Sequence, residues 1–77
     1  MDFLVTIKAS KQIRDYVYSL CNGIRREENI CEFLLINHPE FTDINKTRIS
    51  VNYHIVKLKA AGLIYIKDNG RILDLDR

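Results

Sequence analysis

A helical pattern in this chain runs without interruption into a glycine and then into two short alternating strands, and few folds accommodate that junction. Over residues 46–61, Val51, Ile55 and Leu58 recur at spacings of four and three, so they share one stripe of an α-helix. Arg48, Asn52, Tyr53, Lys57 and Lys59 fall away from that stripe. The stretch contains neither proline nor glycine. Asn45 or Thr47 is the expected cap at its start, and Gly62 the left-handed residue that closes it.

The hairpin follows at residues 63–75. Asn69-Gly70 is a strong turn signal, because both residues tolerate the positive φ of a type I′ loop. A two-residue loop sets Lys67 opposite Ile72, Ile66 opposite Leu73, Tyr65 opposite Asp74 and Ile64 opposite Leu75. One face then carries Ile64, Ile66, Leu73 and Leu75, and the other carries Tyr65, Lys67, Ile72 and Asp74. A slip by one residue would mix the sets, so this register is the expectation.

Upstream, Ile13, Tyr16, Val17, Leu20 and Cys21 recur at helical spacing over residues 10–22, with Ser10 as the expected cap and Gly23 as the stop. Residues 3–8 alternate, with Phe3, Val5 and Ile7 on one side, and read as a short strand or an extended arm. Ile24-Arg25-Arg26 is a connector or a very short strand. Glu27 and Glu28 place negative charge at the positive end of a second helix, whose apolar face is Ile30, Cys31, Phe33, Leu34 and Leu35. Pro39 disfavours helical geometry at His38, so this helix is expected to close near Asn37. In the connection that follows, Phe41 and Ile44 are the expected core anchors.

With 77 residues there is room for one small domain, which buries only ~60% of the surface its unfolded chain exposes. A large enclosed substrate cavity is therefore not expected. Hydrophobic residues at 47% against 29% charged favour a folded domain over a disordered chain. No apolar run approaches the ~18 residues of a membrane span, and the first residues lack the pattern of a signal peptide. The expected location is cytoplasmic. Cys21 and Cys31 belong to no paired metal-ligand motif and read as buried free thiols; a bridge would require their helices to pack together.

The distribution of charge is more informative than the net value of +2. Residues 44–67 hold five basic side chains and no acidic one, while the rest of the chain is slightly acidic. All of the surplus positive charge thus sits on the third helix and the first hairpin strand, the footprint expected for a polyanion.

Thr47-Arg48-Ile49-Ser50-Val51-Asn52 at the start of the third helix, and Leu58-Lys59-Ala60-Ala61-Gly62-Leu63-Ile64 at its end, resemble the recognition helix of winged helix-turn-helix transcription regulators. Those helices typically open with a Ser/Thr and Arg pair and close with Leu-x-x-x-Gly-Leu-Ile before the wing. The match covers about a quarter of the chain directly, and about two thirds if the second helix and hairpin are included in the order that fold requires. One departure is the connection between helices two and three, about eight residues against the ~3–4 of a tight helix-turn-helix. A second parse takes residues 24–37 as the first helix of the unit and 42–47 as a very short second one.

The resemblance implies an α+β winged helix: three helices followed by a two-stranded wing, with the residue 3–8 segment as a candidate third strand, and residues 1–77 as a single DNA-binding domain. It implies a regulator of transcription that binds double-stranded DNA with helix 46–61 in the major groove and the hairpin against the backbone. By position, Lys46, Thr47, Arg48, Asn52 and Tyr53 are expected near base edges. Arg48 suits guanine O6 and N7, and Asn52 suits adenine N6 and N7. Lys46, Lys57, Lys67 and Arg71 suit phosphate, and Asn69 at the wing tip suits the minor groove or backbone. So small a reader gains specificity as a homodimer; helix one and residues 3–8, with Tyr16 and Tyr18, are the expected surface.

No catalytic constellation or phosphate loop is evident, and no enzymatic activity, small-molecule substrate, cofactor or metal is expected. Cys21, Cys31, His38 and His54 are suitable zinc-ligand types without a recognised spacing. His54, beside the apolar stripe, reads as a packed ring. Two other readings remain: a winged-helix module that docks a protein without binding DNA, and a structured-RNA binder, for which no pair of exposed aromatics offers a stacking platform.

Overall fold

The computed structural model describes the backbone of residues 2–75 and the side chains of residues 11–75. Its elements run α1 (Asp2–Ser19), β1 (Asn22–Arg26), α2 (Glu27–Asn37), α3 (Ile44–Ala60), β2 (Ile64–Ile66) and β3 (Arg71–Asp74). The strands form one antiparallel sheet in the order β1-β3-β2, so the last strand is central. The chain is thus a small α+β domain. Among the described residues no helix is long and apolar enough to cross a membrane.

Helix α1 begins well before Ser10, so neither the N-terminal strand nor the Ser10 cap is present. Phe3, Val5 and Ile7 alternate, but Phe3, Leu4 and Ile7 also satisfy a helical period, and a short apolar run does not distinguish the two. The third strand is instead β1, in the segment that reads as a connector or a very short strand. Helix α1 also ends sooner than expected, at Ser19, and Gly23 with its positive φ lies inside β1 rather than at a helix stop. The Asn22 side chain accepts from the Ile24 and Arg25 N–H groups at 3.0 and 3.3 Å, holding the irregular start of that strand.

Helix α2 has the expected bounds. Glu27 and Glu28 occupy its first turn, and Asn29 Oδ1 accepts from the Arg26 N–H at 3.0 Å. His38 closes it in extended geometry, as the residue before proline must. The His38 ring lies against Tyr16, with centroids 4.3 Å apart, and edge-on to Phe41 at 6.2 Å, which ties the 38–43 connection to α1. Phe41 packs on the core as expected, whereas Ile44 is exposed.

Helix α3 starts earlier than its apolar stripe. Asp43 is the cap, accepting from the Asn45 and Lys46 N–H groups at 2.9 and 3.0 Å, and neither Asn45 nor Thr47 serves that role. One helix from Ile44 also removes the parse with a short element at 42–47 and shortens the connection to residues 38–43. At the other end the Leu63 N–H reaches Leu58 O and the Gly62 N–H reaches Lys59 O, both at 3.0 Å, with Gly62 at φ 75°. That double closure is the Schellman arrangement, and it turns the chain directly into β2.

The hairpin register differs from the expected one by a single residue. Ile64 pairs with Asp74, Tyr65 with Leu73 and Ile66 with Ile72, and the Lys67 N–H donates to Arg71 O. The loop therefore holds three residues: a turn closed by the Gly70 N–H on Lys67 O, with Gly70 alone at positive φ. This is a type I turn with a glycine bulge, not type I′. Ile64, Ile72 and Asp74 are buried, while Leu73 is half-buried and Leu75 exposed.

The core lies where α1, α2 and α3 meet the inner face of the sheet. Val17, Cys21, Ile30, Leu34, Val51 and Ile72 are its fully enclosed side chains. Leu58 and Ile55 join it from α3 and Ile64 from β2, so the apolar stripe read from the sequence is the one buried. Both cysteines are buried and free.

Candidate functional site

Because the α3 stripe of Thr47, Val51, His54, Ile55 and Leu58 turns inward, the opposite face of that helix is available to a partner. Lys46, Arg48, Asn52, Tyr53, Lys57 and Lys59 all lie exposed on it. The helix carries no acidic side chain along its length. Lys46 stands in the first turn, where Asp43 holds the backbone.

Thr47 does not belong to this face. It is 2% exposed, and its hydroxyl donates to Asp43 O at 2.8 Å, so the expectation that it meets a base edge is corrected. A residue four positions before Val51 shares its stripe, and the period that identified the core also assigned Thr47 to it. His54 is likewise buried, as expected of a packed ring. Burial and the Arg14 guanidinium hold its imidazole below the ordinary histidine value.

Three further side chains have neighbours that define their geometry. The Asn52 amide donates to the Glu27 carboxylate at 3.3 and 3.5 Å, linking α3 to the first turn of α2. Tyr53 stands edge-on to His54 at 5.2 Å, with Lys57 Nζ 5.6 Å from its ring centroid. Arg48 acts on the buried Cys31 thiol, whose value burial raises and the guanidinium draws back down.

The hairpin brings a second set together. Arg71 pairs with Arg26 across the sheet, and both are exposed. Lys67 is half-buried, its Nζ donating to Gly23 O at 3.2 Å. Asn69 is exposed at the tip and accepts from the Arg71 N–H at 3.0 Å, which rigidifies the loop.

Two kinds of residue escape the sequence reading. Arg26 falls in a segment that reads as a connector or a very short strand without a stated partner, and only the strand pairing places it beside Arg71. Ile49 and Val56 are exposed at 70% and 56%, although both are large and apolar. Their spacing of seven is legible as a second stripe opposite Val51, but an apolar residue on a helix is ordinarily assigned to a core.

Among the described residues, no cluster of three His, Cys, Asp or Glu side chains is placed to hold a metal ion. Of the residues of zinc-ligand type, Cys21 donates to Val17 O, and His38 stacks on Tyr16. No family model matches the chain, and no curated protein or solved structure matches it.

Proposed function

We propose that the chain is a winged-helix module that binds double-stranded DNA and regulates transcription, with α3 in the major groove and the β2–β3 hairpin as its wing. The observation that carries this reading is the outer face of α3, where Lys46, Arg48, Lys57 and Lys59 are exposed with no acid on the helix. A major groove admits one α-helix between two walls of phosphate. The order of elements, with three helices and a hairpin directly after the third, supports it, since that is the order such a module requires.

Within that reading, Arg48 addresses guanine and Asn52 adenine. Asn52 first releases Glu27, whose carboxylate otherwise occupies its amide. Lys46 and Lys57 bind phosphate, and Arg71 and Asn69 serve the wing. Lys67 contributes charge from its position on Gly23 O. Arg26 joins the wing cations beside Arg71.

A second reading, docking to a protein without DNA, is favoured by one observation: Ile49, Tyr53 and Val56 are exposed on the same helix. Fluorescence anisotropy with a randomised duplex pool across a salt series separates the two. DNA binding is expected to weaken steeply with salt, by a log–log slope of about −0.9 per phosphate neutralised. Selection from the pool should yield a motif that Arg48→Ala and Asn52→Ala relax at separate positions. Absence of duplex binding at low salt would leave the docking reading.

A further inference from the structure

The exposed face of α3 is not uniformly polar. At 3.6 residues per turn, Ile49, Tyr53, Val56 and Ala60 fall within an arc of about 60° opposite Val51. Arg48, Lys59 and Asn52 flank this arc on one side, and Lys46 and Lys57 flank it on the other. Ile49, Tyr53 and Val56 are 70%, 52% and 56% exposed, and the rest of the domain already encloses its core without them. An apolar strip with cations along both edges fits a partner that is anionic on both sides and apolar along its centre.

The major groove of A·T-rich DNA has that layout. Phosphates form its two walls, and the C5-methyl groups of thymine project from its floor. We infer that Ile49 and Val56 read thymine methyls, and that the preferred ligand is therefore duplex DNA with thymines beneath the centre of α3. This deepens the DNA-binding reading and rests on it. Ile49 and Val56 are seven residues apart, roughly 10.5 Å along the helix. At about 3.4 Å per base pair, that separation spans some three steps. Tyr53 lies between them, held by His54 and Lys57, so it spaces the two readers. Lys59 and Lys46, exposed on opposite edges, then address opposite walls of the groove.

Binding is compared between an alternating A·T duplex and the same duplex with uracil in place of thymine, which removes the methyl and leaves the hydrogen-bonding edge unchanged. Removal of each methyl that the helix touches is expected to weaken binding about four-fold, from the transfer energy of one buried carbon group. Ile49→Ser and Val56→Ser should reduce the thymine-over-uracil preference toward one. Both positions are exposed, so the core is not altered. Lys46→Ala should weaken thymine and uracil duplexes equally. A G·C duplex should bind more tightly when its cytosines carry a 5-methyl group, which occupies the same place in the groove. If both A·T duplexes bind equally while binding remains steep in salt, the methyl-reading inference is overturned and DNA binding stands. If neither duplex binds at low salt, both fall and the strip is a protein-docking face.

Discussion

His54 shows how one buried side chain connects packing to solution behaviour. It sits on the inner stripe of α3 at 5% exposure, between the apolar core and the Arg14 guanidinium of α1, and both neighbours disfavour its charged form. Its value in the folded chain is therefore below the ~6.5 it has when unfolded. Between those values the unfolded chain binds a proton that the native ring refuses, so stability rises with pH there. The contribution is neutral above about pH 6.5 and becomes a loss as pH falls through that value toward the folded one. Urea midpoints should fall between pH 7.5 and 5.5 for the native chain, and His54→Gln should flatten the dependence even if it lowers both midpoints. An equal slope in the variant would mean that His54 takes up its proton freely. Asp74, a buried carboxylate on the inner face, is held by hydrogen bonds. The Tyr18 hydroxyl donates to its carboxylate at 2.8 Å, and its backbone N–H donates to Cys21 O at 3.0 Å. Next to it, burial and the Asp74 charge push the Cys21 thiol up to about 11.

That carboxylate explains why the hairpin is legible in the sequence as an element but not in its register. The Asn69-Gly70 pair permits two loops, and both put Gly70 in the left-handed region; they differ in Asn69, which has a negative φ here. The apolar pattern favours the loop that keeps Asp74 out, since an unpaired buried carboxylate is costly. A tyrosine 56 positions away removes that objection, and a strand read beside only one neighbour does not reveal it. Because β3 is central, β1 also fixes its alignment through the Cys21 and Asn22 pairings. By contrast, the bounds of α2 and the end of α3 are legible because local chemistry sets them: paired glutamates, a proline, a glycine. The start of α3 escapes by one cap, because Asp43 lies three residues before the first basic side chain and four before Thr47. The turn type makes a prediction. Gly70→Ser should cost about 1–2 kcal/mol, the penalty of a left-handed conformation for an L-residue. Crowding is not the reason, since a Cβ there would lie 3.8 Å from the Arg26 stem, an ordinary contact. Asn69→Ser, at negative φ and with a hydroxyl still able to accept from Arg71, should stay within about 0.5 kcal/mol. Urea denaturation of the pair decides: equal large losses would point to a two-residue type I′ loop.

For the molecule as a whole, the proposed DNA binding requires a domain this small to obtain enough contacts. One recognition helix reads few base pairs, whereas two copies related by a dyad read two half-sites about one helical turn apart. We propose that α1 supplies the surface between the copies. The structure narrows which part of it is free. Tyr16 and Tyr18, expected at that surface, are used within one copy: Tyr16 stacks on His38, and Tyr18 donates to Asp74. The segment of residues 3–8, also expected there, lies in the helix, with side chains outside the described residues. Lys11, Gln12 and Asp15 are exposed along the same helix. Pairing through that polar, described part of α1 is expected to be weak in the absence of DNA and to tighten when a duplex fixes both copies. Sedimentation velocity on the free chain should give a monomer at micromolar concentration. With a selected duplex of two half-sites it should give two chains per duplex, and with a single half-site one. The salt slope for the two-site duplex should be about twice that of the single-site duplex, since each copy neutralises its own phosphates. One chain on the two-site duplex at saturation would remove the dimer. The domain would then have to obtain its specificity from α3 and the wing alone, and each substitution on α3 would weigh correspondingly more on the selected motif.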